Sequence, residues 1–315
     1  MVNKLRQVMC FGEPLIGFFS KKESQGLPSF QMAIGGDSSN VALGVTKLGH
    51  SASYTTRLGY DFFAEKIKEF WMNEKLDIRY VFEDEIHQTG IYFALYDSKG
   101  DHQFIYKRQN SASTYYSIID AKKVSLDNLK IFHLSGISQA ISKSCIESSF
   151  YFMKKCKELN ILISYDLNYR SPLWSREYFN SIALYTIKHL ADLVSMNLSE
   201  AEVLGLKGDP EKIVEDVMSM GPKIVALKLG KAGCIIGSPE GIQYGKAFDV
   251  DSAVETTGAG DSLTAAVIVG ILEKMKLNQL TRFANAVASI VCSSIGSTSG
   301  QPTREEVEIF LKKNS

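Results

Sequence analysis

The chain has 315 residues, 45% of them apolar and 22% charged, and its 35 Lys and Arg balance its 35 Asp and Glu. That composition is ordinary for a globular protein, and a chain this long buries roughly three quarters of its unfolded surface without needing disulfides or metals as staples. Zero net charge argues against a nucleic-acid coat or a membrane-surface role, so no nucleic-acid and no membrane partner is expected, although local basic sites remain allowed.

The N-terminal stretch MVNKLRQVMCFGEPLIGFF begins basic and turns apolar. Glu13 and Pro14 interrupt it and no small-residue cleavage site follows, so it is expected to form a first strand and not a signal peptide. LIGFFS (15–20), FQMAIG (30–35), TGIYFALYD (89–97) and HQFIYKR (102–108) read as strands without intervening helices, with DSKGD (97–101) as a hairpin turn. Two helical pieces lie among them: DSSNVALGVTKLG (37–49), with Asp37 and Ser38 as candidate caps and Gly49 as a stop, and DFFAEKIKEFWMNE (61–74).

From residue 131 the texture changes. IFHLSG (131–136), ILISYD (161–166), LVSMN (193–197) and KIVALKLG (223–230) are short apolar runs. They alternate with helical spacing over 143–159, where Ile146, Phe150, Met153 and Cys156 share a face, and over 176–192. Apolar strands separated by amphipathic helices imply a parallel sheet covered on both faces. The C-terminus is helical over 259–275, 277–295 and 303–313, and its longest apolar run, 265–272, is too short to cross a bilayer. The fold expected is therefore α/β. A single domain over 1–315 would carry a mostly parallel sheet flanked by helices and a small, mostly antiparallel lid from segments near 13–35 and 88–110.

The five cysteines, Cys10, Cys145, Cys156, Cys234 and Cys292, are scattered without a CxxC pair. They read as reduced thiols in a cytoplasmic protein. The histidines show no metal-binding spacing.

The stretch ETTGAGDSLTAAVIVGILEKM (255–275) puts two glycines and a carboxylate at the mouth of an apolar helix. Gly258 and Gly260 could form a strand-to-helix turn, with Asp261 answering the helix dipole. Alternatively the amides of Gly258, Ala259 and Gly260 form an anion hole for a phosphate. A carboxylate beside a phosphate is repelled unless it takes a proton from an attacking hydroxyl, which would make Asp261 a general base in phosphoryl transfer. No GxxxxGK[ST] occurs, and GAGDSL lacks the third glycine of a dinucleotide fingerprint.

With these residues the chain resembles the ribokinase-like (PfkB) carbohydrate kinases. TTGAGDS resembles that family's C-terminal signature and GGDSSNVALGVTKLG (35–49) its N-terminal one. NLSE (197–200) resembles the N-x-x-E motif, KLGKAG (228–233) the strand-turn before the nucleotide site, and NAVASIVCSSIGS (285–297) the late helix beside the adenine. The resemblance implies ATP as donor and Mg2+ as partner, with Asp261 as base and Gly258, Ala259 and Gly260 as anion hole. It implies nucleotide contacts at Asn168, Asn197, Glu200, Lys228, Gly230, Gly233, Asn285 and Ser289. Mg2+ would be held mainly by ATP phosphates and water, with Asn197 and Glu200 nearby. In isolation Asn197 and Glu200 read as a helix cap; beside Asp261 they read as functional. Glu255 stands where relatives commonly carry aspartate, which leaves open whether a monovalent cation binds there, and Leu263 replaces a common phenylalanine as a packing change.

Family membership does not fix the acceptor. Tyr106 and Arg108 lie two residues apart on one strand face, and Arg170 follows a strand end, where α/β sheets bind ligands. Arginine suits a carboxylate, which neutral sugars lack. The patterns Y-x-R-x-x-S-A and D-x-N-x-R-x-x-L-W resemble 2-keto-3-deoxygluconate kinases. That resemblance implies a sugar acid held by Gly36, Asn40, Tyr92, Tyr106, Arg108 and Arg170. Fructokinases share the second pattern but usually carry aspartate where this chain has Gly17, and fructose or another sugar is the alternative acceptor. The arginines could equally make surface salt bridges, and Tyr92 and Tyr106 could fill the lid's small core. The open lid edge invites pairing into a homo-oligomer.

Overall fold

The computed structural model describes residues 6–20, 29–96, 102–249, 258–293 and 300–314. In chain order its strands are β1 (Val8–Phe11), β2 (Leu15–Ser20), β3 (Phe30–Gly35), β4 (Ala52–Gly59), β5 (Asp77–Asp84), β6 (Ile91–Tyr96), β7 (His102–Lys107), β8 (Ile131–Ser135), β9 (Leu162–Asp166), β10 (Leu193–Asn197), β11 (Ile224–Lys228), β12 (Cys234–Ser238) and β13 (Gly241–Gly245). The helices are α1 (Asp37–Lys47), α2 (Phe62–Asn73), α3 (Ile118–Ala121), α4 (Gly136–Ala140), α5 (Lys143–Glu158), α6 (Arg176–His189), α7 (Leu198–Val203), α8 (Pro210–Ser219), α9 (Ala259–Leu272), α10 (Leu277–Cys292) and α11 (Arg304–Lys313).

Nine strands form one sheet in the order β13-β12-β11-β10-β9-β8-β1-β4-β5, parallel except at β12 and β13. Its inner strands are buried on both faces, as near-continuous apolar runs require, while the edge strands β5 and β13 are partly exposed. Alternate residues feed two cores: Val8 and Cys10 of β1 pack with Val41, Leu43 and Ala266 on one side, while Met9 and Phe11 pack with Phe132, Phe152 and Phe179 on the other. The second sheet, β3-β2-β6-β7, is antiparallel except for the β2–β6 pair.

Helix α9 is buried from Ser262 to Gly270, as an all-round apolar helix must be. It packs against α1 at very close range: a Cβ on Gly44 would come 2.7 Å from Ala265 Cβ. That contact sets the two helices side by side.

Several expectations are corrected. The early region does contain strands of the large sheet: β4 and β5 follow α1 and α2, and β12 and β13 form an antiparallel edge. The α5 core face is Cys145, Ser149, Phe152 and Cys156, with Met153 buried beside them, while Ile146 and Phe150 are half-buried. Neither Asp37 nor Ser38 caps α1; Gly36 is the N-cap and no side chain caps it. Asp37 is instead the first helical residue. The turn at 97–101, Glu255 and residues 294–295 lie outside the described residues. All five cysteines are free thiols and four are buried. Among the described residues no helix is long and apolar enough to cross a membrane.

Candidate active site

From β1 the chain moves to β4 and β5 on one side, whereas β8 through β11 build outward on the other. The switch between β1 and β8 opens a crevice at the strand ends, the usual ligand position of such sheets. Register aligns Ser135, Asp166 and Ser195 on neighbouring strands, and Asn197 with Lys228. Residues in register share a face, so this polar row looks toward the N-termini of α1 and α9.

Gly258 caps α9 in the left-handed region, φ 85°, with no side-chain cap. Ala259 to Asp261 form the first turn of α9, whose amides have no partner within the helix, and Ser262 closes a bond onto the Gly258 carbonyl. Asp261 stands in that first turn, half-buried in the crevice. Asn40 Nδ2 donates to Asp261 Oδ2 over 2.8 Å, which ties α1 to α9 where their N-termini meet. Burial, then the charges of Asp37 and Asp166, push the Asp261 carboxyl up to about 8, against the Asn40 bond and Lys228. A carboxylate so perturbed is a strong base once ionised. Leu263 is buried in the core beside it.

Lys228 lies beneath this loop. Its Nζ sits 2.8 and 3.0 Å from the two oxygens of buried Asp166. Thr264 donates to Asp166 over 2.9 Å and lies 2.8 Å from Ser195. A Cβ at Gly260 would stand 3.5 Å from Lys228 Nζ, so the ammonium backs the glycine loop. Burial works against the Lys228 charge, but Asp166 and Glu200 outweigh it and raise its pKa. Asn197 and Glu200 form a capping box on α7, each side chain bonding the other's backbone amide at 2.9 Å. Burial raises the Glu200 carboxyl against the pull of Lys228.

On the lid side Gly36 has φ 123°, and a Cβ there would come 2.6 Å from the Glu13 carbonyl. Asp37 accepts from Ser135 Oγ and, at 3.3 Å, from Asn168 Nδ2. Asn168 thus sits at the start of α1. Arg108 is ion-paired with fully buried Glu13, which also accepts from Ser111 over 3.0 Å. Its guanidinium stacks 5.4 Å from the Tyr106 ring centre. Tyr92 is buried opposite Tyr106, and the two rings are 5.7 Å apart. Arg170 is exposed, with Nη1 donating to the Tyr169 carbonyl over 2.9 Å and no ion pair among the described residues.

At the far edge Gly230 opens a 3-10 turn, and Gly233 has φ 104° with room for no side chain. Asn285 Nδ2 donates to the Gly245 and Thr281 carbonyls, both at 3.0 Å, and Ser289 Oγ accepts from the Phe248 amide over 3.3 Å. These two side chains hold the segment after β13 against α10. A cavity of about 490 Å³ beside that segment is lined by Tyr244, Lys246, Phe248 and Arg282 and does not reach Asp261.

Sequence reasoning missed Glu13, Asp166 and Thr264, and took Asp37 only for a cap. A charge inside the apolar run FGEPLIGFF and an aspartate closing the run ILISYD were the available signals.

Fold and crevice together define an α/β protein of ribokinase-like class, with a glycine-led helix start and a carboxylate at the sheet's switch point. A solved sugar kinase from Pyrococcus horikoshii in complex with ATP superposes with a TM-score of 0.81 at 28% identity, covering 95% of this chain and 96% of that one. The model of the pfkB family carbohydrate kinases matches residues 5–304. The chain belongs to that PfkB family of carbohydrate kinases. It is 29% identical over 307 residues to 2-dehydro-3-deoxygluconokinase of Bacillus subtilis, covering 96% of this chain and 94% of the relative. It is 30% identical over 320 residues to the Arabidopsis thaliana protein named Probable fructokinase-3, covering 97% and 91%.

Proposed function

We infer that this PfkB kinase transfers the terminal phosphoryl group of ATP to the 6-hydroxyl of 2-keto-3-deoxygluconate, giving 2-keto-3-deoxy-6-phosphogluconate. The observation that carries the chemistry is the meeting of Asp261 with the start of α1 through Asn40, beside the glycine-led first turn of α9. The acceptor oxygen attacks the terminal phosphorus, its proton passes to the Asp261 carboxylate, and ADP leaves with the bond to its bridging oxygen broken. The amides of Ala259 and Gly260 and the Lys228 ammonium gather the negative oxygens of the group in flight. No cluster of three or more His, Cys, Asp or Glu suited to hold a metal occurs among the described residues. Mg2+ would therefore arrive on the ATP phosphates, neutralising their charge, with Glu200 and Asn197 ordering its water. The Lys228–Asp166 pair and the Asn197–Glu200 box fit such a loaded donor.

The choice of a sugar acid rests on Arg170, an exposed arginine after a strand end that makes no ion pair among the described residues and whose charge acts only through space on Glu200. It rests also on likeness to the Bacillus subtilis kinase. A second reading, fructose as acceptor, is favoured by Arg108, whose charge is already met by Glu13, and by likeness to the Arabidopsis protein. A panel of 2-keto-3-deoxygluconate, fructose, ribose and adenosine with Mg2+ and ATP, read by ADP release, separates them. Arg170→Ala should lower kcat/KM for the sugar acid by about tenfold or more, the scale of a charge-assisted bond, and leave fructose nearly unchanged. Equal losses on both would remove the carboxylate contact.

A further inference from the structure

Four passages of chain join the small sheet to the large one, and one buried residue meets all of them. The chain enters β2 through Gly12, Glu13 and Pro14, leaves β3 through Gly36, enters β6 through Gln88, Thr89 and Gly90, and leaves β7 through Arg108 and Ser111. Glu13 is only 1% exposed. Its carboxylate is ion-paired with Arg108 and accepts from Ser111 Oγ over 3.0 Å, both on the passage after β7. A Cβ on Gly90 would stand 3.3 Å from Glu13 Oε1, and one on Gly36 would stand 2.6 Å from the Glu13 carbonyl. The Ala112 amide donates to the Gln88 carbonyl over 2.8 Å, so the passages around β6 and β7 also hold each other.

From Arg108 the contacts lead back to the crevice. Its guanidinium lies over Tyr106, and Tyr106 faces Tyr92 across β6 and β7. The Tyr92 hydroxyl comes 2.9 Å from where a Gly35 Cβ would stand. Gly35 adjoins the N-cap of α1, the helix whose Asn40 holds Asp261. A buried ion pair is weak evidence for stability, because apolar residues of like volume often do as well. What an arginine–carboxylate pair adds is a fixed direction.

We propose that Glu13 is a positioning residue: through Arg108 it sets the angle at which Tyr92 and Tyr106 of the small sheet stand over the acceptor. This rests on the kinase reading but not on the choice between sugar acid and fructose, since an angle acts on any acceptor beneath the sheet.

The test measures kcat and KM, for acceptor and for ATP, on 2-keto-3-deoxygluconate and on fructose. The proteins are the wild type, Glu13→Gln, Arg108→Gln and the double variant. Misplacing a group by about 1 Å, even far from the chemistry, can cost about 10²-fold. Glu13→Gln should therefore lose roughly 10- to 100-fold in kcat/KM on every acceptor the wild type phosphorylates, with the acceptor's KM raised and KM for ATP little changed. A residue that served stability alone would leave that split unmoved in a folded variant. Two side chains that act as one unit are not additive, so the double variant should lose about as much as Glu13→Gln alone. Melting curves establish that each variant is folded. Ser111→Ala, which frees one Glu13 oxygen and strands no charge, carries the test should Glu13→Gln unfold, and it should raise the acceptor's KM roughly threefold or more. Unchanged acceptor kinetics in the folded variants, or losses of Glu13→Gln and Arg108→Gln that simply add, overturn the proposal alone. So does a loss confined to the sugar acid, which would reduce Glu13 to a part in an arginine–carboxylate contact. A wild type that phosphorylates no acceptor overturns the kinase reading, and the proposal with it.

Discussion

The Asp261 carboxyl has a consequence that a pH profile reads directly. Burial and the neighbouring charges of Asp37 and Asp166 raise it to about 8 in the free enzyme. A base must be ionised to accept a proton, and at pH 7 a group of that pKa is ionised in about one molecule in ten. The acceptor's kcat/KM at saturating Mg·ATP should therefore climb about tenfold between pH 7 and pH 9 and then level off. Asp37→Asn removes the largest charge acting on Asp261 after burial, so it should move the rising limb toward acid. Asp261→Asn should cost at least ~10²-fold in kcat and abolish the limb. Stability gives an independent reading. The folded carboxyl keeps its proton from its unfolded value of 3.8 up to about 8. Its contribution is therefore fully present below pH 4 and lost as pH rises through 8. Urea titrations across that range should show a wild-type decline that Asp261→Asn lacks. A flat activity profile from pH 6 to 9, with the same stability slope in both proteins, would refute the assignment of Asp261 as a buried, charge-crowded base.

Three further outcomes follow from the crevice. Gly36→Ala should destabilise the fold more than Gly205→Ala in urea melts: both have positive φ, but Gly36 would also drive a Cβ to 2.6 Å from a backbone carbonyl whereas Gly205 has open space around it; for Gly205 the left-handed cost is about 1–2 kcal/mol. Lys228→Met strands the buried Asp166 carboxylate and should cost about 3–5 kcal/mol, most of which Lys228→Met with Asp166→Asn recovers; equal stability of the single and double variants would deny the pairing. The Asp261 carboxyl, raised to about 8, is mostly protonated at pH 7, so a divalent cation brought in on ATP should expel its proton, seen as a binding heat that depends on the buffer's ionisation enthalpy.

Much of this was legible in the sequence because the chemistry sits on short contiguous motifs. The glycine-led start of α9, the capping pair Asn197 and Glu200, and the α/β alternation after residue 131 are local patterns that the fold keeps. What stayed hidden was tertiary. β4 is read poorly by hydrophobicity because ASYTTRLG carries polar side chains inward: Ser53, Thr55 and Thr56 are buried, and Thr55 bonds Tyr116 over 2.8 Å. β5 lies at the sheet edge and its alternating DIRYVFED looks like solvent-facing texture. The pairing of Arg108 with Glu13 spans most of a hundred residues and has no local signature. Asp37 follows two glycines before a helix, where a cap is expected, and only the distant positions of Ser135 and Asn168 show what its carboxylate bonds.

The close approach of Gly44 to Ala265 links packing to chemistry. It lets α1 and α9 lie together on one face of the sheet, so two helix N-termini open onto the same crevice. A helix N-terminus favours an anion. With two, the labour divides. In the proposed reaction α9 presents its first-turn amides and Asp261, backed by Lys228, to the donor's phosphates, and α1 presents Asn40 on the acceptor's side. The Asn40–Asp261 bond is the seam between the halves, and it orients the carboxylate from the acceptor's side. A bulkier residue at position 44 should therefore act at a distance: by spreading the helices it would lengthen that bond, lowering kcat for every acceptor while leaving the choice among them intact.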